Sequence, residues 1–246
     1  MEQKRADLAL CEAGIAESRT KAAALIKEGL VLADGKPVEK PSQPVSASAE
    51  FTLLADMPSD VSRAGQKLRA ALEAFGTDVR GKVFADIGAS TGGFTQCLLE
   101  NGASKVFAID VGRDQLHASL RADSRVVVME GTNARTLTKS DLGQEIDGAV
   151  MDVSFISQTL IYPALSGLLN EDASLITLVK PQFEVGRENI GKNGIVKDKK
   201  GNLQQLLMHK IKQAAEENGF ALLQTIVSPI KGSKGNTEYL AHFIKR

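Results

Sequence analysis

The chain has 246 residues, of which 43% are apolar, and its 30 basic and 30 acidic residues give a formal net charge of zero. This composition predicts one large folded domain, or one large and one small domain, and it argues against global disorder. No apolar run approaches the roughly 18 residues of a transmembrane helix, the first residues carry charge where a signal peptide needs an apolar run, and two cysteines cannot form a disulfide framework. We therefore expect a cytoplasmic protein with neither a membrane span nor a metal site.

The first 55 residues predict a small α+β domain. The predicted elements are a helix over 6–13, a helix over 18–28, a hairpin over 30–38 and a strand over 51–54. Ser18 is a favourable N-cap for the second helix, and Asp34-Gly35 between apolar flanks is typical of a hairpin turn. Residues 56–63 predict a linker.

From residue 64 to residue 246 the pattern changes to strands and helices in alternation. The predicted strands cover 83–87, 105–109, 125–129, 148–151, 175–179, 221–227 and 238–244, and the clearest helices cover 65–75, 93–101 and 200–218. Alternation of this kind indicates a parallel sheet covered by helices on both faces, with antiparallel pairing at the end of the chain. The predicted fold class is therefore α/β, a Rossmann-like and mostly parallel sheet preceded by the small domain.

A glycine-rich turn after the strand over 83–87 predicts a cofactor site. It reads Asp-Ile-Gly-Ala-Ser-Thr-Gly-Gly-Phe over 86–94, and such a turn lets a ligand approach the backbone and the amides of a helix N-terminus. Asp110 ends the next strand, where a carboxylate can bind ribose hydroxyls. The G-x-x-x-G-G spacing differs from the G-x-G-x-x-G fingerprint, which disfavours a dehydrogenase, and it resembles the first motif of S-adenosylmethionine-dependent methyltransferases. A turn that is only structural is the alternative.

Four charged residues stand at positions that a sheet would bring together. Asp152 and Lys180 each follow an apolar strand, and the carboxyl ends of parallel strands face the ligand crevice. Lys67 follows the linker, and Glu238 begins the last predicted strand. Each alone is read most simply as a solvated charge, so the prediction of a site depends on all four together.

The chain as a whole resembles the haemolysin-A (TlyA-type) family, whose members join an S4 RNA-binding domain to an FtsJ-like ribose 2′-O-methyltransferase domain. The segments that carry the resemblance are 4–8, 18–22, 29–36, 86–94, 151–157 and 179–184. The resemblance implies an S-adenosylmethionine-dependent enzyme that methylates ribose in ribosomal RNA, either as free RNA or in ribosomal subunits. Ala6 departs from the leucine that is common in the S4 motif, and Ala64 stands where the family more often has a second glycine.

In the FtsJ-like group a Lys-Asp-Lys-Glu tetrad serves ribose methylation, and the matching positions here are Lys67, Asp152, Lys180 and Glu238. We hypothesise that Lys180 is the base and that Lys67 is a second cation, which helps a lysine to release its proton. Asp152 would orient Lys180, and Glu238 would position Lys67 or the ribose.

The turn and the resemblance together assign the cofactor site. Its predicted residues are Asp86, Gly88, Ser90, Thr91, Gly92, Gly93, Phe94, Asp110, Asn133 and Asp152. Asp86 and Gly88 are expected at the methionine end of S-adenosylmethionine. Ser90 and Thr91 either contact the methionine carboxylate or cap the helix, and Asn133 either meets the adenine or is an ordinary polar loop residue.

RNA contacts are expected from a few basic residues, namely Arg5, Arg19, Lys21, Lys27 and Arg63. The loop over 186–200 is interpreted as a mobile basic flap, with a plain surface loop as the alternative. Phe94, Phe155 and Phe183 are expected in the core or the pocket wall rather than stacked on bases. Two other functions stay open, a membrane-active haemolysin-like protein and an RNA-binding module without methyl transfer.

Overall fold

A computed structural model describes residues 3–16, 18–27, 29–53, 63–191, 193–198, 202–232 and 234–246. The chain forms two compact units, residues 1–59 and 60–246. The predicted linker over 56–63 lies outside the described residues except for Arg63, which is the first residue of a helix in the second unit.

The N-terminal unit is a small α+β body. Its elements are β1 (Gln3–Arg5), α1 (Ala6–Glu12), α2 (Arg19–Lys27), β2 (Val31–Ala33), β3 (Lys36–Pro37), β4 (Pro44–Ser46) and β5 (Phe51–Leu53). Strands β3, β2 and β5 form one antiparallel sheet and β1 pairs with β4. The Lys21 amide donates to Ser18 Oγ at 3.2 Å, which confirms the predicted N-cap. Asp34 and Gly35 both have positive φ, which confirms the hairpin turn.

The second unit alternates strands and helices. Its elements are α3 (Arg63–Phe75), β6 (Val83–Ile87), α4 (Gly93–Glu100), β7 (Lys105–Asp110), α5 (Ala118–Arg121), β8 (Val126–Glu130), α6 (Lys139–Leu142), β9 (Gly148–Met151), α7 (Tyr162–Leu168), β10 (Ser174–Val179), α8 (Pro181–Glu184), α9 (Leu203–Glu216), β11 (Phe220–Val227) and β12 (Tyr239–Lys245). Among the described residues, seven strands form one sheet in the order β11-β12-β10-β9-β6-β7-β8.

The pairing within this sheet confirms the predicted fold class. Strands β10, β9, β6, β7 and β8 are parallel to one another, and β12 runs antiparallel to both β10 and β11. Side chains alternate between two buried cores. Ile87 and Met151 enter the core on one face, and Phe84 and Val150 enter the core on the other. A sheet covered on both faces requires apolar residues on both sides of its central strands, and this is why these strands are nearly continuous apolar runs.

The topology places a crevice at the carboxyl end of β6. The connection after β6 runs to β7 on one side, whereas the connection after the adjacent strand β9 runs to β10 on the other side. The two connections therefore diverge and leave an opening for a ligand at the strand ends. Glu238 precedes β12 by one residue instead of beginning the strand, and α9 is shorter than predicted at both ends.

Candidate active site

The glycine-rich turn lies between the ends of β7 and β9. Gly88 has a φ of +84°, and a Cβ there would lie 2.5 Å from the carbonyl oxygen of Asp152, so a larger residue does not fit. The Gly88 amide donates to the carbonyl oxygen of Ile109 at 2.8 Å. Gly92 has a φ of +100° and is the N-cap of α4, and a Cβ there would overlap the Leu120 side chain. The sequence therefore has glycine at the two points where the turn needs it.

Asp86, two residues before Gly88, is completely buried. Its Oδ2 accepts a hydrogen bond from Thr95 Oγ1 at 2.7 Å, whereas its Oδ1 accepts none from the described residues. Burial raises the pKa of the Asp86 carboxyl to about 7; the Thr95 hydrogen bond opposes this effect, and the charge of Asp152 adds to it. A cation placed beside this carboxyl would favour its charged form.

Asp110 connects the end of β7 with the turn. Its carboxylate accepts hydrogen bonds from the Ser90 amide at 2.9 Å and from the amide two residues after Asp110 at 2.7 Å. Glu130, at the end of β8, accepts hydrogen bonds from the three amides of residues 114–116. The Arg121 guanidinium, together with these amides, lowers the pKa of Glu130 to about 2 against the effect of burial. Glu130 thereby fixes the loop that follows Asp110, a role that the sequence analysis missed.

Lys180 and Asp152 form an ion pair at the ends of adjacent parallel strands. Lys180 Nζ lies 2.6 Å from Asp152 Oδ1, and the side chains are only 13% and 15% exposed. The Lys180 ammonium also donates a hydrogen bond to Ser154 Oγ at 2.8 Å. Two oxygen atoms of the segment after β9 thus hold the Lys180 nitrogen at the crevice.

Lys67 and Glu238 form a second ion pair, which is more deeply buried. Lys67 Nζ donates to Glu238 Oε2 at 2.7 Å, with side-chain exposures of 11% and 2%. Gln182 Nε2 approaches Glu238 Oε1 at 3.3 Å. Of the two roles considered for Glu238, the structure places it on Lys67. Removing either member of such a buried pair would leave an uncompensated charge and destabilise the fold by about 3–5 kcal/mol.

These contacts form a continuous path along one edge of the sheet. The Asp152 amide donates to the carbonyl oxygen of Ile87, directly before Gly88, at 2.9 Å, and the Asp152 carboxylate pairs with Lys180. Helix α8 begins directly after Lys180 and carries Gln182 to Glu238. The arrangement can bind a ligand against the turn, accept a proton at the Lys180 nitrogen and hold the resulting cation beside the Asp152 carboxylate.

Four of the predicted cofactor residues have other contacts in the structure. The Phe94 side chain packs in the core and is 2% exposed, so only its backbone can face the turn. The N-cap of α4 is Gly92, which has no side chain, so Ser90 and Thr91 do not cap this helix. The Asn133 side chain accepts a hydrogen bond from the Arg135 amide and caps a 3-10 turn, which favours the polar-loop alternative for this residue.

The basic residues predicted for RNA are exposed on their own elements. In the N-terminal unit, Asp7 is buried and accepts hydrogen bonds from the guanidinium groups of both Arg5 and Arg19. These two arginines, Arg5 most of all, hold the pKa of the Asp7 carboxyl far below its ordinary value. Lys21 and Lys27 are exposed on α2. Arg63 is exposed at the start of α3 in the second unit.

One expectation near the site is wrong. Phe155 is 92% exposed, with a φ of +66°, and its ring centroid lies 5.2 Å from that of Phe183. The basic flap over 186–200 stays a prediction, and contacts hold the part of this loop that the structure describes. Ile190 and Val196 form an antiparallel bridge, and the Val196 amide donates to Asn236 Oδ1 at 2.9 Å. The flap was inferred from Arg187, Lys192, Lys197, Lys199 and Lys200, of which Lys192, Lys199 and Lys200 lie outside the described residues.

Sequence reasoning missed several residues that complete the site. They are Thr95 on Asp86, Ser154 on Lys180, Gln182 on Glu238 and Glu184 on the segment after Asp152. Each lies within nine residues of a predicted site residue. Their types are common on helix termini and loops, so spacing alone could not distinguish them from ordinary polar residues.

Over the part of the chain that the structure describes, no helix is long and apolar enough to cross a membrane. In the same residues, we find no group of three or more His, Cys, Asp or Glu side chains placed to hold a metal ion.

The mostly parallel sheet, the glycine-rich turn and the carboxylate at the end of β7 define a Rossmann-like protein with a ligand crevice at the carboxyl edge of its sheet. The chain belongs to the FtsJ-like methyltransferase family, whose model matches residues 61–245, and residues 4–51 match the S4 domain. The family resemblance inferred from the sequence is therefore confirmed.

Relatives match nearly the whole chain. The chain is 45% identical over 236 residues to the 16S/23S rRNA (cytidine-2′-O)-methyltransferase TlyA of Mycobacterium tuberculosis, and the match covers 96% of this chain and 87% of the relative. It is 43% identical over 232 residues to the Hemolysin A of Brachyspira hyodysenteriae, which covers 94% of this chain and 95% of the relative. A solved structure of a hemolysin candidate from Streptococcus thermophilus is 40% identical, with a TM-score of 0.78, and covers all of this chain and 89% of that one.

Proposed function

We propose that this protein is an S-adenosylmethionine-dependent methyltransferase that acts on the ribose 2′-hydroxyl of ribosomal RNA, with cytidine as the target nucleoside. The observation that carries the proposal is the Asp152–Lys180 ion pair at the carboxyl edge of the sheet, where the Asp152 amide bonds to the residue directly before Gly88 of the turn. A relative 45% identical over nearly the whole chain is a cytidine-2′-O-methyltransferase of ribosomal RNA by name. Because the substrate is part of the ribosome, the protein would act in the cytoplasm.

The residues at the crevice fit the cofactor. S-adenosylmethionine has a ribose at one end and a cationic sulfonium and ammonium at the other. When bound, it supplies an electrophilic methyl group. Gly88 leaves the turn open where a Cβ would close it against Asp152. The Oδ1 of Asp86 is a buried carboxyl oxygen that accepts no hydrogen bond from the described residues and suits a cationic partner. Asp110 would hold the ribose: its carboxylate would accept hydrogen bonds from the ribose hydroxyl groups in place of one of the two backbone amides that it now accepts from.

Lys180 would act as the base of the reaction. In its amine form, Nζ takes the proton from the 2′-hydroxyl while the oxygen attacks the methyl group, and it becomes an ammonium. The ion pair with Asp152 and the hydrogen bond to Ser154 describe this protonated state. Lys67, neutralised by Glu238, supplies the second cation of the tetrad without leaving an unpaired buried charge.

RNA binding would involve both units. Asp7 orders two exposed arginines, Arg5 and Arg19, on the N-terminal unit, and guanidinium groups fixed in this way suit phosphate oxygens. In the second unit, the exposed ring of Phe155 follows Ser154 directly and offers an apolar face to a base turned out of the RNA. Affinity from such phosphate contacts falls as the salt concentration rises.

The test is nucleoside mass spectrometry of ribosomal RNA and of ribosomal subunits, both incubated with the protein and methyl-labelled S-adenosylmethionine. We expect labelled 2′-O-methylcytidine. A label on a base would keep methyl transfer but overturn the ribose chemistry. An unlabelled sample, together with lysis of red cells by the purified protein, would instead support the haemolysin-like alternative.

Substituting Gly88 with alanine is expected to weaken S-adenosylmethionine binding at least tenfold, since the added Cβ must displace the backbone of Asp152. The positive φ should also lower the free energy of unfolding by about 1 kcal/mol. The matched control is Gly143→Ala, because Gly143 also has a positive φ, +67°, but open space around its Cβ position. Calorimetric titration and urea unfolding measure the two effects. Equal cofactor affinity in the two variants would contradict the prediction.

A further inference from the structure

Glu184 lies outside the tetrad, yet it is almost completely buried, with a side chain 2% exposed. Its Oε1 accepts a hydrogen bond from the Gln158 amide at 2.8 Å, and its Oε2 accepts one from Ser157 Oγ at 2.5 Å. Lys210 of α9 donates to the Glu184 carbonyl oxygen at 2.7 Å and lies 3.6 Å from Oε2. We call Glu184, Ser157, Gln158 and Lys210 the Glu184 brace.

The brace joins the same two chain segments as the proposed catalytic ion pair. One segment runs from Asp152 to Gln158 after β9, and the other runs from Lys180 to Glu184 after β10. At one end, Lys180 contacts Asp152. At the other end, Glu184 holds the backbone of Gln158. Two separate attachments fix the distance and the rotation between the segments, which one attachment alone cannot do.

During a reaction, the Lys180–Asp152 ion pair would have to change, whereas the contacts of Glu184 would not. The Lys180 nitrogen must exchange a proton and face the substrate, so its contacts with Asp152 and Ser154 change during a turnover. The Glu184 carboxylate is buried, and its partner Gln158 is only 1% exposed, although Lys210 reaches the surface. Gln158 Oε1 also accepts a hydrogen bond from the Tyr162 hydroxyl at 3.0 Å, which connects the brace to α7. The brace therefore stays fixed while the ion pair alters.

We propose that Glu184 is a positioning residue, which holds the segment after β9 so that Asp152 and Ser154 keep the Lys180 nitrogen in place for proton transfer. This inference rests on the proposed function. Glu184 touches neither substrate nor cofactor in this role, and its effect passes through residues 157 and 158. Because misplacing a reacting group by about 1 Å can slow a reaction 10²-fold, losing part of the brace should be visible in the rate.

The test compares Glu184→Gln and Ser157→Ala with the unchanged protein and with Glu216→Gln. Glu216 is on the surface of α9, half exposed and paired with Lys212, so its variant controls for loss of a glutamate charge. In single-turnover methyl transfer to ribosomal RNA, we expect each brace variant to slow the maximal rate about tenfold. We expect the KM for RNA and the Kd for S-adenosylmethionine to change less than twofold. The double variant should be no slower than the slower single variant, since both remove one shared contact.

A second measurement needs no RNA. Acetylation by N-hydroxysuccinimidyl acetate, followed by mass spectrometry, reads the accessibility of the Lys180 amine against that of Lys212. Acetylation of Lys180 should rise about threefold in both brace variants and stay unchanged in Glu216→Gln. Unchanged acetylation and an unchanged rate in folded Glu184→Gln and Ser157→Ala would overturn the inference. If the protein without substitutions methylates no ribosomal RNA, the proposed function is overturned instead. The acetylation measurement would then still decide whether the brace holds Lys180.

Discussion

Replacing Lys180 with methionine is expected to slow methyl transfer by about 10²–10⁴-fold, the range that a positioned general base contributes. Methionine keeps much of the length and the apolar stem of lysine but cannot accept a proton. The affinity for S-adenosylmethionine should stay near normal, because Asp86, Gly88 and Asp110 are unchanged. Single-turnover rates with saturating cofactor and calorimetric titration separate the two quantities.

Two further variants make the Lys180 experiment specific. Lys180→Arg keeps the cation beside Asp152, but a guanidinium does not give up its proton, so this variant should be as slow as Lys180→Met. Lys212→Met removes a half-exposed lysine of α9 and should leave the rate unchanged. A Lys180→Arg variant with the full rate would show that Lys180 supplies charge rather than proton acceptance, and the role of base would then be wrong.

Lys180 is a cleaner test than the other members of the tetrad. Lys67 and Glu238 form a buried pair, and removing one of them would destabilise the fold as well as the site. Lys180 and Asp152 are more exposed, so solvent can reach the carboxylate that the loss of Lys180 leaves without its partner. A loss of rate at Lys180 is therefore easier to assign to chemistry than a loss at Lys67.

The sheet and its crevice could be predicted because their signals are local and repeated. Apolar strands such as 83–87 and 105–109 match the structure closely, and Asp34-Gly35 fixes its hairpin through positive φ. The short strands β1 and β4 could not be predicted, because three residues carry no periodicity and their pairing joins segments about 40 residues apart along the chain. The contact that holds the loop over 186–200 was missed for a similar reason, since its partner Asn236 lies in a distant segment.

The candidate site, too, could be predicted only in part. Strand ends point to Asp110, Asp152 and Lys180, because topology alone brings the carboxyl ends of parallel strands together. The partners of these residues depend on side-chain geometry, which spacing does not determine. Phe155 shows the difference most clearly: an aromatic residue beside a buried strand is usually core, but a left-handed backbone turns this one out to solvent.

Asp86→Asn is expected to remove a pH dependence of stability between about pH 4 and pH 7. The pKa of the Asp86 carboxyl is about 7 in the folded protein and about 3.8 in an unfolded chain. Between these values the folded state keeps a proton that the unfolded state releases. The contribution of Asp86 to the free energy of unfolding is therefore fully present below pH 4 and is lost as the pH rises to 7. The slope is at most about 1.4 kcal/mol per pH unit.

The measurement is urea unfolding of the unchanged protein, Asp86→Asn and Asp172→Asn at several pH values from 4.5 to 8. The amide that Asp86→Asn introduces is neutral at every pH and should keep the hydrogen bond with Thr95, so the variant should become the more stable protein as the pH rises. The difference should reach a few kcal/mol, with about 4 kcal/mol as an upper bound. Asp172 is 84% exposed and its variant controls for an amide substitution. Taking differences between variants also cancels Glu130, whose lowered pKa acts in the opposite direction at lower pH.

The same variant distinguishes stability from binding. A neutral amide at position 86 is better suited than a carboxylate to a buried site, yet the sequence has aspartate there. If the carboxyl serves the cationic end of S-adenosylmethionine, Asp86→Asn should bind the cofactor at least tenfold more weakly while unfolding at higher urea concentration at pH 8. If Asp86→Asn is more stable and binds the cofactor normally, the Oδ1 of Asp86 has no role in ligand binding. If the pH profile of stability is the same with and without the substitution, Asp86 is charged in the folded protein.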